Sequence, residues 1–344
     1  MPKRFLVIQT AFLGDAVLAT ALLEKLHAFY PDAVIDLVVR KGNDGLFDGH
    51  PFLRKLFVWN KRTNKTRNLF KLIGELRKER YDHVINCQRF FSTGLITTFS
   101  KGNEKVGYDK NPLSFSFTRK VKHVIGDGRH EVDRLNALIE HLTDRTRPLP
   151  MLHPTGVAEQ ALPGIAAPAD LSARYVTIAP GSVWFTKTWP MQKWIELVLS
   201  FPADLQVVVI GGPEERALGE VLSREVAIRH QNKLGISNPI RNPRNLAGKL
   251  SLLQTAALMR DAAMNYVNDS APLHIASAMN ASVTAVFCST VPAFGFGPLR
   301  ENGRVVETTE KLDCRPCGMH GHRSCPKGHF NCALGISALQ VVAS

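Results

Sequence analysis

Short apolar runs alternate with amphipathic stretches along the first third of the chain. The apolar runs predict strands, and stretches with apolar residues three or four positions apart predict helices. The predicted strands are residues 5–10, 34–39 and 83–87, and the predicted helices are residues 16–29 and 69–80. Because strands separated by helices are typical of βαβ units, this region is predicted to form a parallel sheet.

The same alternation begins again in the second half. Strands are predicted at residues 175–180, 205–212, 265–267 and 283–289, and helices at residues 193–200, 214–225 and 252–261. A Pro- and Ala-rich stretch from Arg145 to Ala173 precedes them and is interpreted as a hinge region. The chain is therefore predicted to be an α/β protein with two doubly wound parallel-sheet domains that face each other. Ligands bind off the carboxyl ends of such strands, so the site is expected in the cleft between the domains.

The composition is typical of a globular protein with an anionic partner. Of the 344 residues, 44% are hydrophobic and 21% are charged, and the formal net charge is +13. Ten Lys or Arg but only two Glu lie between Arg54 and Arg80. This excess favours a nucleic acid, an acidic lipid or a phosphorylated substrate, although a solvated basic helix explains it equally well. No helix-turn-helix or RNP-type motif supports the nucleic acid.

The chain shows no sequence pattern of a membrane span. No run approaches the roughly 20 apolar residues that a bilayer crossing needs. Lys3 and Arg4, followed by apolar residues 5–13, resemble a signal peptide, but Asp15 and Glu24 interrupt the apolar character. A buried strand followed by an amphipathic helix explains this segment better, so a cytoplasmic location is expected.

The segment NDSAPLHIASA predicts a phosphate-binding helix start. An apolar run ends at Asn268-Asp269-Ser270, and a helical pattern follows with Pro272 in its first turn. Asn, Asp and Ser are preferred N-cap residues, and proline is tolerated in a first turn. The free N–H groups and the positive dipole end of such a helix suit a phosphate. An ordinary capped helix is the alternative.

Two further strand-to-helix turns carry candidate chemistry. Gly14 allows close backbone approach in the first turn, and Asp15 after it is either a general base or simply the N-cap. In PGSVWFTKTWP, Lys187 and neighbouring hydroxyls offer donors to phosphate oxygens, although a loop lysine is often merely exposed. Glu214 and Glu215 follow VVVIGGP, where a carboxylate often holds a ribose hydroxyl, or they are first-turn helix acids.

Several motifs are absent, and one cysteine cluster stands out. The chain contains no GxGxxG, no GxxxxGK[ST] and no Asp-x-Asp pair, so dehydrogenase, P-loop and metal-chelated diphosphate chemistry lose support. Four of its six cysteines, with three histidines among them, lie within one short segment near the C-terminus: Cys314, Cys317, Cys325 and Cys332. A structural Zn site is one interpretation, and reduced packing thiols are the other.

The motifs also follow one another in an order known from one enzyme family. They are AFLGDAV, RYDHVINCQ, KVGYD, HEVDR, PGS with TKTWP, VVVIGGPEER, NLAGKLSL, NDSAPLHIASA and CPKGHFNC. Together they resemble the ADP-heptose:lipopolysaccharide heptosyltransferases of glycosyltransferase family 9, and the resemblance covers nearly the whole chain.

The resemblance implies a GT-B fold, with two Rossmann-like domains and a cleft between them. Residues 1–155 are then the acceptor-side domain, residues 156–325 bind the nucleotide sugar, and the tail 326–344 packs back toward the first domain. The implied reaction is inverting, metal-independent transfer of heptose from ADP-heptose to the lipid A–Kdo inner core of lipopolysaccharide. No cofactor is implied, and the enzyme is expected to contact the cytoplasmic face of the inner membrane.

The resemblance also implies a role for each site residue. Asp15 is the general base, and Lys187 binds the donor phosphate. The other implied donor-binding residues are Ser182, Thr186, Glu215, Leu246, Ala247, Gly248, Asp269, Ser270, Ala271 and His274. Acceptor binding falls to Gly14 and to basic residues expected in a loop, Arg62, Lys65 and Arg67, which also suit an anionic membrane surface.

Two positions depart from the family pattern. Ala11 stands where the family usually has Ser or Thr, and Ala271 stands where it often has Gly. These departures leave open which heptose site is served and whether the donor is a heptose at all. A related family 9 enzyme that acts on another glycan or a protein is the second interpretation. A nucleic-acid-binding protein is the alternative outside enzymes.

Overall fold

The computed structural model describes residues 2–154, 174–202, 204–234 and 242–343. The chain divides into two compact units, Met1–His153 and Pro154–Ser344. Most of the predicted hinge region, residues 155–173, lies outside the described residues. The acceptor-side and donor-side roles assigned to the two domains stay predictions.

The first unit alternates strands and helices. Its strands are β1 (Arg4–Gln9), β2 (Val34–Arg40), β3 (Leu53–Trp59), β4 (Tyr81–Asn86), β5 (Gly102–Tyr108) and β6 (Arg119–Val121). Its described helices are α1 (Leu13–Phe29), α2 (Lys65–Leu76), α3 (Phe91–Phe99) and α4 (Glu131–Ala137).

The second unit repeats this alternation. Its strands are β7 (Tyr175–Ala179), β8 (Gln206–Val209), β9 (Arg244–Asn245), β10 (Met264–Asn268), β11 (Val283–Phe287) and β12 (Gly303–Glu307). Its described helices are α5 (Met191–Leu199), α6 (Arg216–Leu234), α7 (Leu252–Asp261), α8 (Ala271–Ala278), α9 (Asn331–Leu334) and α10 (Ala338–Ala343).

The two sheets have the same topology. The first has the strand order β3-β2-β1-β4-β5-β6, and the second has the order β12-β11-β10-β7-β8-β9. Counted within each unit, both orders are 3-2-1-4-5-6, the doubly wound Rossmann arrangement. The prediction of two parallel-sheet α/β units is confirmed.

Central and edge strands differ in how well the sequence predicts them. Every residue of β7 and β11 is buried, so these strands are continuous apolar runs. The edge strands β3, β6, β9 and β12 are only partly buried, and β3 carries Arg54 and Lys55. The edge strands and β5 were missed because their mixed polar pattern is weak evidence for a strand.

One acidic residue lies inside the first sheet. Asp36 on β2 is fully buried, yet its carboxylate accepts a 2.9 Å hydrogen bond from Arg54 Nε and a 2.7 Å hydrogen bond from the Tyr81 hydroxyl. Buried carboxylates are tolerated when they are paired and hydrogen-bonded in this way. Asp36 therefore links β2 to its neighbour β3 and, past β1, to β4.

The C-terminal segment contributes to the core of the second unit. Ile336, Ala338 and Val341 are buried in the cluster that contains Trp189 and Trp194. The Trp189 indole donates a 3.2 Å hydrogen bond to the Ile336 carbonyl. The predicted contact of residues 326–344 with the first domain stays a prediction. None of the described helices combines the length and the apolar character that a bilayer crossing requires.

Candidate active site

The candidate residues follow strands at the topological switch point of each sheet. The strand order reverses between β1 and β4 in the first unit, and between β7 and β10 in the second. Doubly wound sheets bind their ligands outside the carboxyl ends of the strands at such points. The turns after β1, β7 and β10 therefore occupy the places where the topology favours a ligand.

In the second unit, the turns after β7 and β10 meet in an ion pair. Lys187 Nζ lies 2.7 Å from Asp269 Oδ2, and the two side chains expose only 16% and 7% of their surface. The same carboxylate oxygen accepts a 2.6 Å hydrogen bond from the hydroxyl of Thr290, which follows β11. Lys187 is thus held in place at the switch point, contrary to the alternative of an exposed loop lysine.

Asn268 fixes the geometry of these two turns. Its side-chain oxygen accepts a 3.0 Å hydrogen bond from the backbone N–H of Trp189, and its side-chain nitrogen donates a 2.8 Å hydrogen bond to the Pro180 carbonyl. Asn268 is completely buried. A single side chain therefore joins both ends of the Lys187 loop to the end of β10.

The start of α8 differs from the predicted capped helix. Ser270 is the N-cap residue, but its side chain makes no capping hydrogen bond and its hydroxyl instead donates to the Asn268 carbonyl over 3.3 Å. The Asp269 carboxylate is occupied by Lys187, so the expected side-chain N-cap is wrong. Ala271 begins the helix and is half-buried, whereas His274 lies one turn further on and is buried. The helix start retains its positive dipole end without a side-chain cap.

The hydroxyl of Thr186 faces protein groups. Thr186 is 1% exposed. Its Oγ1 accepts a 2.7 Å hydrogen bond from the His322 N–H and lies 3.1 Å from the Ser289 hydroxyl. These contacts hold the Lys187 loop in place, and the predicted role of Thr186 in donor binding stays a prediction. Ser182, at the start of the same loop, is half-buried.

Glu215 lies against glycines at the ends of β7 and β8. It ends a short 3-10 turn before α6, and its Oε2 accepts a 2.7 Å hydrogen bond from the Gly212 N–H. A Cβ atom on Gly181 would come within 1.7 Å of Glu215 Oε1, and one on Gly211 within 2.5 Å of Oε2. Burial raises the pKa of Glu215, although the Gly212 N–H opposes the shift. Both glycines are thus required for this position of the carboxylate.

The loop after β9 lies beside the Glu215 turn. The Gly248 N–H donates a 2.9 Å hydrogen bond to the Gly211 carbonyl. Gly248 has φ +72°, and a side chain there would meet Pro213 Cα at 2.7 Å. Leu246 and Ala247 are buried, so their side chains belong to the core and only their backbone is available to a ligand. The predicted role of this loop in donor binding stays a prediction.

In the first unit, Asp15 follows β1 inside the first turn of α1. The N-cap is Phe12, and the helix begins at Leu13, so Asp15 is the third helical residue and not the N-cap. Gly14 precedes it in the same turn, and both residues are half-buried. The capping alternative for Asp15 is therefore wrong, and its role as a base stays a prediction.

A polar network that the sequence did not predict surrounds the turn between β1 and α1. Gln88 Nε2 donates a 2.7 Å hydrogen bond to Gln9 Oε1, and this oxygen also accepts a 3.2 Å hydrogen bond from the Ala11 N–H. Lys61 Nζ donates 2.6 Å and 3.0 Å hydrogen bonds to the carbonyl and hydroxyl of Thr10. Burial, together with nearby cations, lowers the pKa of Lys61 to about 8. Polar residues directly after apolar strands were the available signal.

The predicted acceptor-binding basic residues are exposed, but not all lie in a loop. Arg62 belongs to the turn before α2, whereas Lys65 and Arg67 lie in the first turn of that helix. Asn64 starts the helix in the left-handed conformation, with φ 45°. The extension of α2 toward the N-terminus corrects the loop prediction and leaves all three side chains in solvent.

The cysteine-rich segment supports the Lys187 loop. The Cys317 N–H donates a 2.8 Å hydrogen bond to the Ser289 carbonyl. A Cβ atom on Gly321 would approach Lys187 Cγ to 3.0 Å, which shows how closely the two segments pack. Cys314 Sγ lies 3.7 Å from His329 Nε2.

The four clustered cysteines do not form a compact ligand set. In a tetrahedral Zn–thiolate site the sulfur atoms lie about 3.8 Å apart, given Zn–S bonds of about 2.3 Å. Among the described residues, no three ligand atoms of this segment lie within 4.8 Å of one another. The zinc interpretation of these cysteines stays a prediction.

Comparison with known proteins identifies the family. The model of "Glycosyltransferase family 9 (heptosyltransferase)" matches residues 69–324. The chain belongs to glycosyltransferase family 9. It is 26% identical to lipopolysaccharide heptosyltransferase 3 of Escherichia coli over 291 residues, which cover 81% of this chain and 82% of that protein. Membership makes the protein a glycosyltransferase.

Solved structures of family 9 proteins share the fold of this chain. A family 9 glycosyltransferase from Veillonella parvula superimposes with a TM-score of 0.82 at 20% identity, covering 99% of this chain and 95% of that one. The ADP-heptose lipopolysaccharide heptosyltransferase II of E. coli superimposes with a TM-score of 0.77 at 20% identity, covering 99% and 96%. This similarity confirms the predicted GT-B fold class.

A less similar heptosyltransferase structure bears on metal binding. The iron-containing heptosyltransferase TibC, described in complex with ADP-D-β-D-heptose, matches with a TM-score of 0.56 at 16% identity and covers 99% of this chain and 74% of TibC. Iron is thus present in a heptosyltransferase of similar fold. For this chain, the similarity establishes the fold alone.

Proposed function

We propose that this protein transfers a heptose from ADP-heptose to the lipid A–Kdo inner core of lipopolysaccharide, with inversion at the anomeric carbon and without a metal ion in the reaction. The Lys187–Asp269 pair at the start of α8, in a chain of family 9, is the observation that carries this proposal. The curated relatives, which include a lipopolysaccharide heptosyltransferase, favour heptose as the sugar and lipopolysaccharide as the acceptor.

The second unit supplies the groups that a nucleotide diphosphate requires. The Lys187 ammonium and the uncapped start of α8 attract the diphosphate and stabilise its charge as it leaves. The Glu215 carboxylate and the backbone of the 246–248 loop follow the neighbouring strands β8 and β9, where they are suited to ribose and adenine. The chain has no Asp-x-Asp motif, so protein cations take the place of a chelated metal ion.

The first unit supplies the proposed base. The Asp15 carboxylate removes the proton from the acceptor hydroxyl, whose oxygen then attacks the anomeric carbon on the face opposite ADP. The new C–O bond forms as the bond from the anomeric carbon to the phosphate oxygen breaks. ADP departs with the electron pair of that bond, and the proton remains on Asp15. This balance requires no oxidant, reductant or cofactor.

Exposed basic and aromatic groups near the same end of the first sheet favour an anionic, lipid-linked acceptor. Arg62, Lys65 and Arg67 are exposed at the start of α2, and Phe12 beside Asp15 is 60% exposed. Each basic side chain near an anionic leaflet contributes roughly 1 kcal/mol of attraction. We propose peripheral contact with the cytoplasmic face of the inner membrane on this basis.

The deciding experiment is a transfer assay with defined donors and acceptors. The purified protein is incubated with ADP-heptose, ADP-glucose or a UDP-sugar, and with lipid A–Kdo, lipid A alone or an acceptor protein. We expect one heptose to be added to lipid A–Kdo, from ADP-heptose only, with inverted anomeric configuration by NMR and undiminished in EDTA. Transfer only to another glycan or to a protein would replace the proposed acceptor, and activity that requires added metal would reject the mechanism.

Membrane contact has a separate test. Sedimentation with anionic vesicles is compared for the wild type and for a variant with Arg62→Ala, Lys65→Ala and Arg67→Ala. A variant with Arg145→Ala, Arg224→Ala and Arg260→Ala removes the same charge elsewhere and is the control. Only the first variant is expected to lose vesicle binding, and equal loss in both would reject a specific docking surface.

A further inference from the structure

Three histidines and one glutamate meet at the end of the first unit, away from the switch point. Glu24 and His27 lie three residues apart on one face of α1, so their side chains are neighbours. His50 lies in the turn before β3, and its N–H donates to the Phe47 carbonyl over 3.2 Å. His153 is the last residue of the unit.

Three of these side chains present ligand atoms to one point. The ligand atoms of Glu24, His50 and His153 all lie within 4.8 Å of one another, a grouping that no other set of His, Cys, Asp or Glu achieves among the described residues. His153 Nε2 is 2.8 Å from Glu24 Oε1, and the rings of His50 and His153 meet edge to face with centroids 4.9 Å apart.

The surroundings of His50 provide ring contacts but no hydrogen bond to its ring nitrogens. Both ring nitrogens of His50 are buried and lack a hydrogen-bond partner among the described residues, and so does Nδ1 of His27. Phe52 packs against both rings, 4.1 Å from His27 and 4.5 Å from His50 between centroids. Buried polar atoms are almost always satisfied in native proteins, so a cluster of such imidazole nitrogens calls for a ligand.

The chain holds the cluster in place by independent contacts. The Met151 N–H donates a 3.0 Å hydrogen bond to the Thr20 hydroxyl on α1, and Leu152 is buried. His153 is thereby fixed against the same helix that carries Glu24. The ligand positions therefore come from three separate segments, which is how metal sites in folded domains are commonly assembled.

We propose that Glu24, His50 and His153 bind a Zn²⁺ ion. Two imidazole nitrogens and one carboxylate oxygen are borderline ligands that suit zinc, and a water molecule completes the fourth position. Hard ions such as Mg²⁺ prefer oxygen ligands and are poorly matched to this set. The ion links α1, the turn before β3 and the final residue of the first unit, so its binding is expected to stabilise the fold of that unit.

The first test separates this site from the cysteine-rich segment. Full-length protein is freed of metal with a chelator and titrated with Co²⁺, whose visible spectrum reports its ligands. The proposed site gives visible bands without the near-ultraviolet charge-transfer absorption of thiolate ligands. We expect one equivalent of Co²⁺ with this signature, displaced by Zn²⁺ and unaffected by Mg²⁺. Binding solely with thiolate absorption, or no binding, would overturn the proposal.

The second test uses variants of the ligands. Glu24→Gln, His50→Ala and His153→Ala are each expected to weaken Zn²⁺ binding at least about tenfold, the lower end of the loss for removing even an outer-shell partner. His141→Ala is the matched control, because His141 is also an imidazole of the first unit that contacts a glutamate, Glu104 over 3.0 Å.

A stability measurement guards against misfolded variants. Zn²⁺ is expected to raise the melting temperature of the wild type and of His141→Ala, but not that of the ligand variants. Glu24→Gln keeps the shape of the side chain, so it reports on ligation even if His50→Ala unfolds. An equal rise in melting temperature for Glu24→Gln and the wild type would contradict the proposal.

Discussion

The two sheets of this protein have the same strand order, yet their switch points carry different chemistry. In the first unit, the ends of β1 and β4 are joined by a hydrogen bond from the Gln88 side-chain amide to Gln9 Oε1. In the second unit, the ends of β7 and β10 are joined by an ion pair between Lys187 and Asp269. The topology therefore selects the location of each site, and the residues placed there determine what it binds.

The two switch points also differ in how exposed their side chains are. Phe12, Phe90 and Phe91 are 60%, 59% and 54% exposed around the first one, whereas the lysine and aspartate of the second are largely enclosed. An open aromatic rim suits a large amphiphilic acceptor, and an enclosed cation suits a diphosphate. The comparison supports a division of labour between the units. Three substitutions test this division, and a fourth tests a stabilising carboxylate of the first unit.

Asp15→Asn is expected to have the largest effect. Removing a general base lowers the rate of transfer by roughly 10²–10⁴-fold. Donor binding, which we propose for the second unit, is expected to stay close to the wild-type value. Steady-state transfer rates and ADP calorimetry on the same preparation separate the two quantities. A variant that retains the wild-type rate would remove Asp15 from the mechanism.

Lys187→Ala tests the second unit in the same way. Hydrogen bonds to charged groups contribute roughly 1.5–3 kcal/mol, so ADP affinity is expected to fall by roughly 10–100-fold. Lys187→Arg keeps the charge and is expected to recover part of the affinity. Calorimetric titration with ADP measures both, and an unchanged Kd for Lys187→Ala would place the diphosphate elsewhere.

Gly181→Ala tests the position of Glu215 with a smaller expected effect. The added methyl group would overlap Glu215 Oε1 and displace the carboxylate, so ADP affinity is expected to fall by roughly tenfold, the effect of one lost charged hydrogen bond. Gly74→Ala is the control, since its Cβ meets nothing within 4 Å inside α2. That control is expected to bind ADP normally and to gain up to about 1 kcal/mol of stability.

Glu104→Gln is expected to change only the acid stability of the first unit. Burial disfavours ionisation, but hydrogen bonds from His141, Arg119 and His83 lower the pKa of Glu104 from 4.5 to about 2. A carboxylate with a lowered pKa stabilises the fold above pH 4.5, and this contribution is lost as the pH falls toward about 2. The melting temperature is therefore expected to fall less between pH 5 and pH 3 in Glu104→Gln than in the wild type.

The matched control for that measurement is Glu220→Gln. Glu220 pairs with Arg216 on the surface of the second unit, where both side chains are 61% exposed. The melting temperature of Glu220→Gln is expected to change with pH as that of the wild type does, because exposed ion pairs contribute little to stability. Identical profiles for Glu104→Gln and the wild type would contradict the role of Glu104.

The sequence predicts the central strands well because burial on both faces requires a mostly apolar run of residues. The runs that form β1, β7 and β11 are continuous and apolar, and their ends lie within a few residues of prediction. Edge strands have no such run, since one side of β3 faces solvent with Arg54 and Lys55. Their pairing depends on the neighbouring strand, which local sequence does not describe.

The candidate site was predictable to a similar extent. The loops of Lys187 and Asp269 were recognisable as strand-to-helix turns, and both residues lie where the turn predicts. The position of Asp269 depends on its hydrogen bond from Thr290, and the buried position of the Thr186 hydroxyl depends on the His322 N–H. Both partners are distant in sequence, so no local motif predicts these contacts. The cluster of Glu24, His50 and His153 has no local motif, because each ligand comes from a different segment.

The salt bridge between Lys187 and Asp269 has a consequence for turnover. If Lys187 binds the donor diphosphate as proposed, the diphosphate must compete for the ammonium with the Asp269 carboxylate, which lies 2.7 Å away. We expect this competition to lower the affinity for ADP. Asp269 is expected to pair with Lys187 again when ADP leaves. Competition from Asp269 is therefore expected to speed the release of ADP and the binding of a new donor molecule.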